Sequence, residues 1–150
     1  MLASLYLQGC GELVVVNKAL ALSSSSRREL IDITDEVVDF VSENRVKAGI
    51  CMISAPHATA AIIANENENG LVRDLLTKIA DLFPISSKYA HNAIDDNADA
   101  HLAAAFLGHS RAFPIDNGRL VRGIWQSIFL VELDGPRSRR QVHLLLVGDS

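Results

Sequence analysis

Residues 13–22 are apolar apart from Asn17 and Lys18, with Val14 and Val16 and then Ala19 and Ala21 on alternating sides. That pattern predicts a strand. Residues 23–26 are all serine and form a polar turn; residues 29–33 resume strand character, so the two segments are expected to pair as a hairpin. Thr34 is placed as a helix N-cap, with Asp35 and Glu36 in a first turn that suits the helix dipole. Val37, Val38, Phe40 and Val41 then lie on one apolar face that runs to about Asn44. Gly49 breaks the pattern, and the short apolar run of residues 50–53 reads as a buried strand. Pro56 interrupts it before a further strand over residues 59–64.

Asn69-Gly70 opens a second helix, in which Leu71, Leu75, Ile79 and Leu82 recur at helical spacing, and Pro84 stands beyond its end. A third, alanine-rich helix spans residues 98–107, with Gly108 where a C-terminal cap belongs. The remainder reads as strands: residues 111–115, a long one over 124–132, and 141–147 as its expected partner across Gly135-Pro136. Strands outnumber helices and do not alternate with them. The expected class is therefore α+β, a mostly antiparallel or mixed, sandwich-like sheet system with about three helices. Residues 1–12 lack a pattern and are read as an N-terminal extension to a single domain over residues 13–150.

Composition sharpens this picture in three ways. A length of 150 residues suits one domain that needs no staple. Aromatic residues make up 5% of the chain, so the core is expected to be aliphatic. A net charge of −4 argues against nucleic acid as a partner, although Arg137, Arg139 and Arg140 gather locally. Cys10 and Cys51 build no disulfide framework, which suggests a reducing, cytoplasmic setting. Leu7-Gln8-Gly9-Cys10 faintly resembles a lipoprotein cleavage site but lacks a basic leader and an apolar segment before it. No apolar run approaches the roughly 20 residues a bilayer demands, so no membrane partner is expected.

Histidine carries the chemical signal. His57 follows Pro56 between two strands, His91 lies in a polar loop, and His101 sits near the start of the third helix. Three neutral imidazoles can hold a divalent transition metal and leave a position open for water or substrate. Asp95, Asp96, Asn97 and Asp99 lie between two of them and could orient the rings. The spacing matches no compact metal signature, so surface or helix-end histidines remain the plain alternative. Asn65-Glu66-Asn67-Glu68 could bind a ligand, with Glu66 as a general base, or could be a solvated strand-to-helix loop. Arg119, within Asn117-Gly118-Arg119, could clamp a phosphate or carboxylate. Trp125 is expected in the core, while His109 and His143 look unremarkable, His143 facing solvent or a subunit.

These blocks together resemble one family. His57-Ala-Thr-Ala-Ala, Asn65-Glu-Asn-Glu, Tyr89-Ala-His91, Asp95-x-Asn97-Ala, Ala100-His101-Leu, Leu107-Gly-x-Ser110, Pro114, Asn117-Gly-Arg119, Gly123-x-Trp-Gln126 and Asp134-Gly-Pro-Arg137 occur in the order seen in the YjbQ family, described as secondary thiamine-phosphate synthase enzymes. The resemblance implies a homotrimer and a histidine cluster near a subunit boundary holding a divalent metal, zinc before others, on His57, His91 and His101. It further implies Glu66, Asp95 and Arg119 as catalytic candidates, and Asn65, Asn97, Arg119 and Gln126 as substrate-binding candidates for a small phosphorylated metabolite. Two departures stand out, Ala58 and Ile124, where the family pattern carries hydroxyls.

Overall fold

Residues 128–131 form an apolar run because both faces of that strand are covered, and the other layers are arranged around it. A computed structural model describes residues 11–86 and 88–149. In chain order these hold β1 (Leu13–Leu22), β2 (Glu29–Asp32), α1 (Thr34–Glu43), β3 (Ala48–Ser54), β4 (Ala60–Asn65), α2 (Asn69–Leu82), a 3-10 turn (Ala90–Ala93), α3 (Ala98–Leu107), β5 (Ser110–Asp116), β6 (Arg119–Leu120), β7 (Ser127–Glu132) and β8 (Arg140–Asp149). One sheet has the order β1-β8-β3-β5-β6 and the other β2-β7-β4. All of the pairings are antiparallel, so the fold is α+β as the strand-rich pattern implied. The segment 7–10 and most of the expected N-terminal extension lie outside the described residues.

The larger core is sealed between the two sheets and α1. Cys51, Ile53, Leu144, Leu146, Phe113 and Ile115 face Ile62, Ile128 and Leu130, while Val37, Phe40 and Val41 close one side. On the other face of the three-stranded sheet, Ala61, Val131 and Leu133 meet Ile79 of α2 and Ala100, Ala103 and Ala104 of α3. Alanine there lets the α3 backbone approach the sheet closely, which explains why a helix without a bulky apolar stripe packs stably.

Several expectations about pairing are corrected. β1 and β2 form no hairpin; β1 pairs with β8 in one sheet and β2 with β7 in the other. β8 is likewise not the partner of β7, which lies between β2 and β4. A strand buried on both faces needs a neighbour on each edge as well, and adjacency in sequence does not supply both. Residues 50–53 are not a buried run, since Cys51 and Ile53 are covered whereas Ile50 and Met52 are exposed. Thr34 is the first helical residue rather than the cap. Its hydroxyl accepts the Ile128 N–H at 2.8 Å and donates to Asp32, fastening α1 to β7. β7 begins at Ser127, because residues 123–126 close a turn.

Gly49 and Gly148 face each other across β3 and β8. A Cβ on Gly148 would fall on the Ala48 carbonyl oxygen and within 2.8 Å of Gly49 Cα. Gly148→Ala should therefore push two backbones apart and lower stability by about 1–3 kcal/mol. Gly123→Ala, whose nearest neighbour is the Gln126 side chain at 3.4 Å, should stay within about 0.5 kcal/mol. Urea midpoints of the two variants check the contrast; equal midpoints would show that the sheet yields at the glycine pair.

Candidate functional site

His91 and His101 come together. Their ring centroids are 4.9 Å apart, edge to face at 72°. Local hydrogen bonds set this up. The His91 carbonyl accepts from Ile94 and Asp95 N–H groups, and the Asn97 carbonyl accepts from Ala100 and His101, starting α3. The Asn97 amide nitrogen donates to Asp95 at 3.0 Å and to Asp134 at 3.2 Å, holding the turn against the end of β7. Asn97 is buried, and its Oδ1 has no partner among the described residues.

Beneath the turn lies a network of buried charges. Asp99, 2% exposed, accepts from Arg27 at 2.9 Å and Arg28 at 2.7 Å, and Asp134 pairs with Arg137 at 2.6 Å. Two residues before Asp134, the fully buried Glu132 accepts from Arg140 Nε at 2.7 Å and from Ser24 at 2.9 Å. Arg140 also donates to the Thr59 hydroxyl at 3.0 Å. Burial by itself would raise the Glu132 pKa; the Arg140 guanidinium, the Asp134 N–H and Ser24 outweigh it and hold the carboxyl below its ordinary value.

His57 belongs to this Arg140 neighbourhood. Its Nε2 accepts the Gln141 N–H at 2.8 Å, which places the ring proton on Nδ1. Burial, then the nearby Arg140 charge, pull its pKa below the usual histidine value, with Glu132 acting in the opposite direction. His143, also near enough to lower it, is exposed on the outer face of β8.

The remaining candidates gather elsewhere. Ala60 pairs with Glu132 at one end of β7, and Asn65 pairs with Ser127 at the other. Five residue steps at about 3.4 Å put some 17 Å between those ends. Asn65 and Glu66 therefore sit with Gln126, away from the histidines. Asn65 Oδ1 accepts from Glu66 N–H, Asn67 donates to Asp32 at 2.8 Å, and Glu68 caps α2 by accepting from Gly70 and Leu71 N–H groups. Those two backbone bonds lower the Glu68 pKa. The Asn-Glu-Asn-Glu segment is thus a strand-to-helix cap, and Glu66 is exposed beside it. Gln126 closes its own turn through Gly123 N–H at 2.7 Å. Arg119 and Arg122 line a cleft of ≈ 350 Å³ with Val38, Ser42 and Leu120. Trp125, expected in the core, is 69% exposed at the tip of this region, because the turn lifts it off β7.

A shared metal can be tested against these positions. Two imidazoles on one tetrahedral cation have centroids about 5 Å apart, given metal–nitrogen bonds of about 2.0–2.1 Å, and the His91–His101 pair meets that spacing. His57 is less suited to ligation, since its Nε2 lone pair is engaged by the Gln141 N–H. Among the described residues of one chain, no group of three or more His, Cys, Asp or Glu side chains is placed to hold a metal. The chain thus brings two imidazoles, His91 and His101, into edge-to-face contact.

Sequence reading overlooked Glu132, Arg27 and Arg28, and gave Arg140 and Asp99 other roles, as part of a local basic cluster and as a residue that could orient the histidine rings. A signal existed for two of them: Glu132 ends an apolar strand, and Asp99 interrupts an alanine-rich helix, both costly places for a charge without a partner.

Known proteins of similar sequence and shape are informative at this point. The family model described as UPF0047 protein YjbQ-like matches residues 18–149. A UPF0047 protein of Methanothermobacter thermautotrophicus is 45% identical over 132 residues, covering 87% of this chain and 92% of its own. The crystal structure of a YbjQ-like protein of unknown function from Sulfolobus solfataricus superposes with a TM-score of 0.91 at 50% identity, over 92% of this chain and 100% of that one. An uncharacterized conserved protein of Clostridium acetobutylicum gives 0.82 at 35% identity, over 86% and 98%.

Proposed function

The chain belongs to the UPF0047, YjbQ-like family, and on that premise we propose that it is a metal-dependent enzyme acting on a small phosphorylated metabolite, with His91 and His101 holding a divalent cation, zinc before others. The observation that carries this reading is the pair of imidazoles at 4.9 Å, braced from below by buried charges. Thiamine-phosphate synthase chemistry is the reaction to test first: a pyrimidine methyl diphosphate joins a thiazole phosphate and pyrophosphate departs. A bound cation would neutralise charge on the departing diphosphate. Asp95, tethered by Asn97, would orient an imidazole, and Arg119 would grip a phosphate.

Arg119 and the histidines lie in different regions of one chain, so we further propose a homotrimer in which neighbouring copies bring Asn65, Glu66, Arg119 and Gln126 toward the histidines, with His57 at the boundary. The outer face of the five-stranded sheet supports such an assembly, since Ile50, Met52 and Val147 are exposed there. No described helix is long and apolar enough to cross a membrane, and Cys51 is a buried free thiol; both are compatible with a cytoplasmic enzyme.

Metal analysis of protein purified without a histidine tag tests the site. We expect His91→Ala and His101→Ala each to weaken metal binding more than about 100-fold, since one of two ligands from the chain is lost. Undiminished metal content in His101→Ala would end the reading. If metal-loaded protein makes no thiamine phosphate from the two precursors, a different reaction on a phosphorylated or carboxylated metabolite takes its place. The capping duties of Glu68 and Gln126 favour a second reading, a non-catalytic trimeric binding protein. In that case chelation should dissolve the trimer rather than abolish turnover.

A further inference from the structure

β1 is ten residues long and, among the described residues, pairs on one edge alone, with β8. Its register runs unbroken from Leu13 opposite Asp149 to Leu22 opposite Arg140, without a bulge. The strand contains no proline and a single charged residue, Lys18. Leu13 is 67% and Val15 58% exposed. Edge strands are normally protected by charge, proline, a bulge or short length. Apart from Lys18, β1 has none of these.

We infer that the free edge of β1 pairs antiparallel with β1 of a second copy, in the register that sets Val15 opposite Val15. Two constraints select that register. If the outer face of the sheet continues across the contact, directly opposed residues share a face, so paired numbers must have an even sum. Within that set, a sum of 30 places Glu12, which precedes the strand, opposite Lys18, and does so twice by symmetry. A sum of 36 would instead set Lys18 against Lys18.

The same register extends an existing apolar row. Val15 lies beside Val147, Val147 beside Ile50, and Ile50 beside Pro114. With the twofold axis at Val15, that row runs on through the second copy. This contact does not depend on the proposed trimer: alone it doubles the chain, and combined with the trimer it makes six.

Charge exchange and crosslinking test the contact. Lys18→Glu should weaken the twofold association about tenfold, because two attractive cross-strand pairs become repulsive. Glu12→Lys combined with Lys18→Glu should restore it. In a Cys10→Ser background, Val15→Cys should oxidise to a covalent dimer, since directly opposed residues lie about 4.5–5.5 Å apart, within disulfide reach. Leu13→Cys should not, because its two copies would stand about 13 Å apart. The inference is overturned if Val15→Cys crosslinks no faster than Leu13→Cys, or if Lys18→Glu leaves the mass distribution by light scattering unchanged. Masses confined to one or three chains overturn it too. So does protection, at concentrations where the chain is unassociated, of those β1 amides that point away from β8, which would show that another segment covers the edge.

Discussion

Arg140→Met is expected to reduce folding stability by about 3–5 kcal/mol, the usual consequence of stripping one partner from a buried ion pair. Glu132 is fully buried, and Arg140 is 6% exposed. Removing the guanidinium leaves the Ser24 hydroxyl and the Leu133 and Asp134 N–H groups to satisfy the carboxylate, with no counter-charge. Urea unfolding at neutral pH measures the loss. Glu132→Gln added to Arg140→Met should recover part of it, because the buried negative charge goes as well. The acid limb gives a second readout. The Glu132 pKa is depressed in the fold, so its contribution is fully present above the ordinary carboxylate value of about 4.5 and is lost as pH falls through the folded value. Without Arg140 the depression disappears and burial drives the pKa upward. Acid unfolding of Arg140→Met should then begin at higher pH than in the parent. A loss under about 1 kcal/mol with an unmoved acid limb would mean that water reaches Glu132.

How much of this was readable from the chain depends on the range of the interaction. The patterns of β1, α2 and α3 are local, an apolar run or helical spacing, and each stands within a residue or so of its expected bounds. Pairing did not follow so easily. β7 and β8 are adjacent in sequence, yet two partners drawn from distant segments flank each of them, because each strand must cover two edges. The site shows the same split. His91 and His101 were legible only as members of a three-histidine set with His57; a turn and the start of α3 bring those two, ten residues apart, into contact. The charges beneath them were not legible. Arg27 and Arg28 follow a serine turn that looks solvated, and nothing local says that α3 will set Asp99 over them, more than 70 positions later.

That distant pairing carries the other large effect. Asp99→Asn keeps the shape of the side chain and removes its charge. Arg28, whose side chain is 10% exposed, is then left with the Phe83 carbonyl at 2.6 Å and no anion. The expected cost is again about 3–5 kcal/mol. Arg27, 35% exposed and still able to reach Asp134 at 3.6 Å, has water as an alternative, so Arg27→Gln should cost about 1 kcal/mol or less. The ordering reaches the site because Asp99 lies two residues from His101 in the first turns of α3. Loosening that turn should weaken metal binding by His91 and His101 about tenfold in Asp99→Asn, under conditions where the variant remains folded. Urea unfolding together with metal titration separates the outcomes. If Asp99→Asn loses stability but binds metal as the parent does, the buried charges brace the fold alone. If Arg27→Gln costs as much as Asp99→Asn, exposure does not govern the network and the energetic argument fails for both residues.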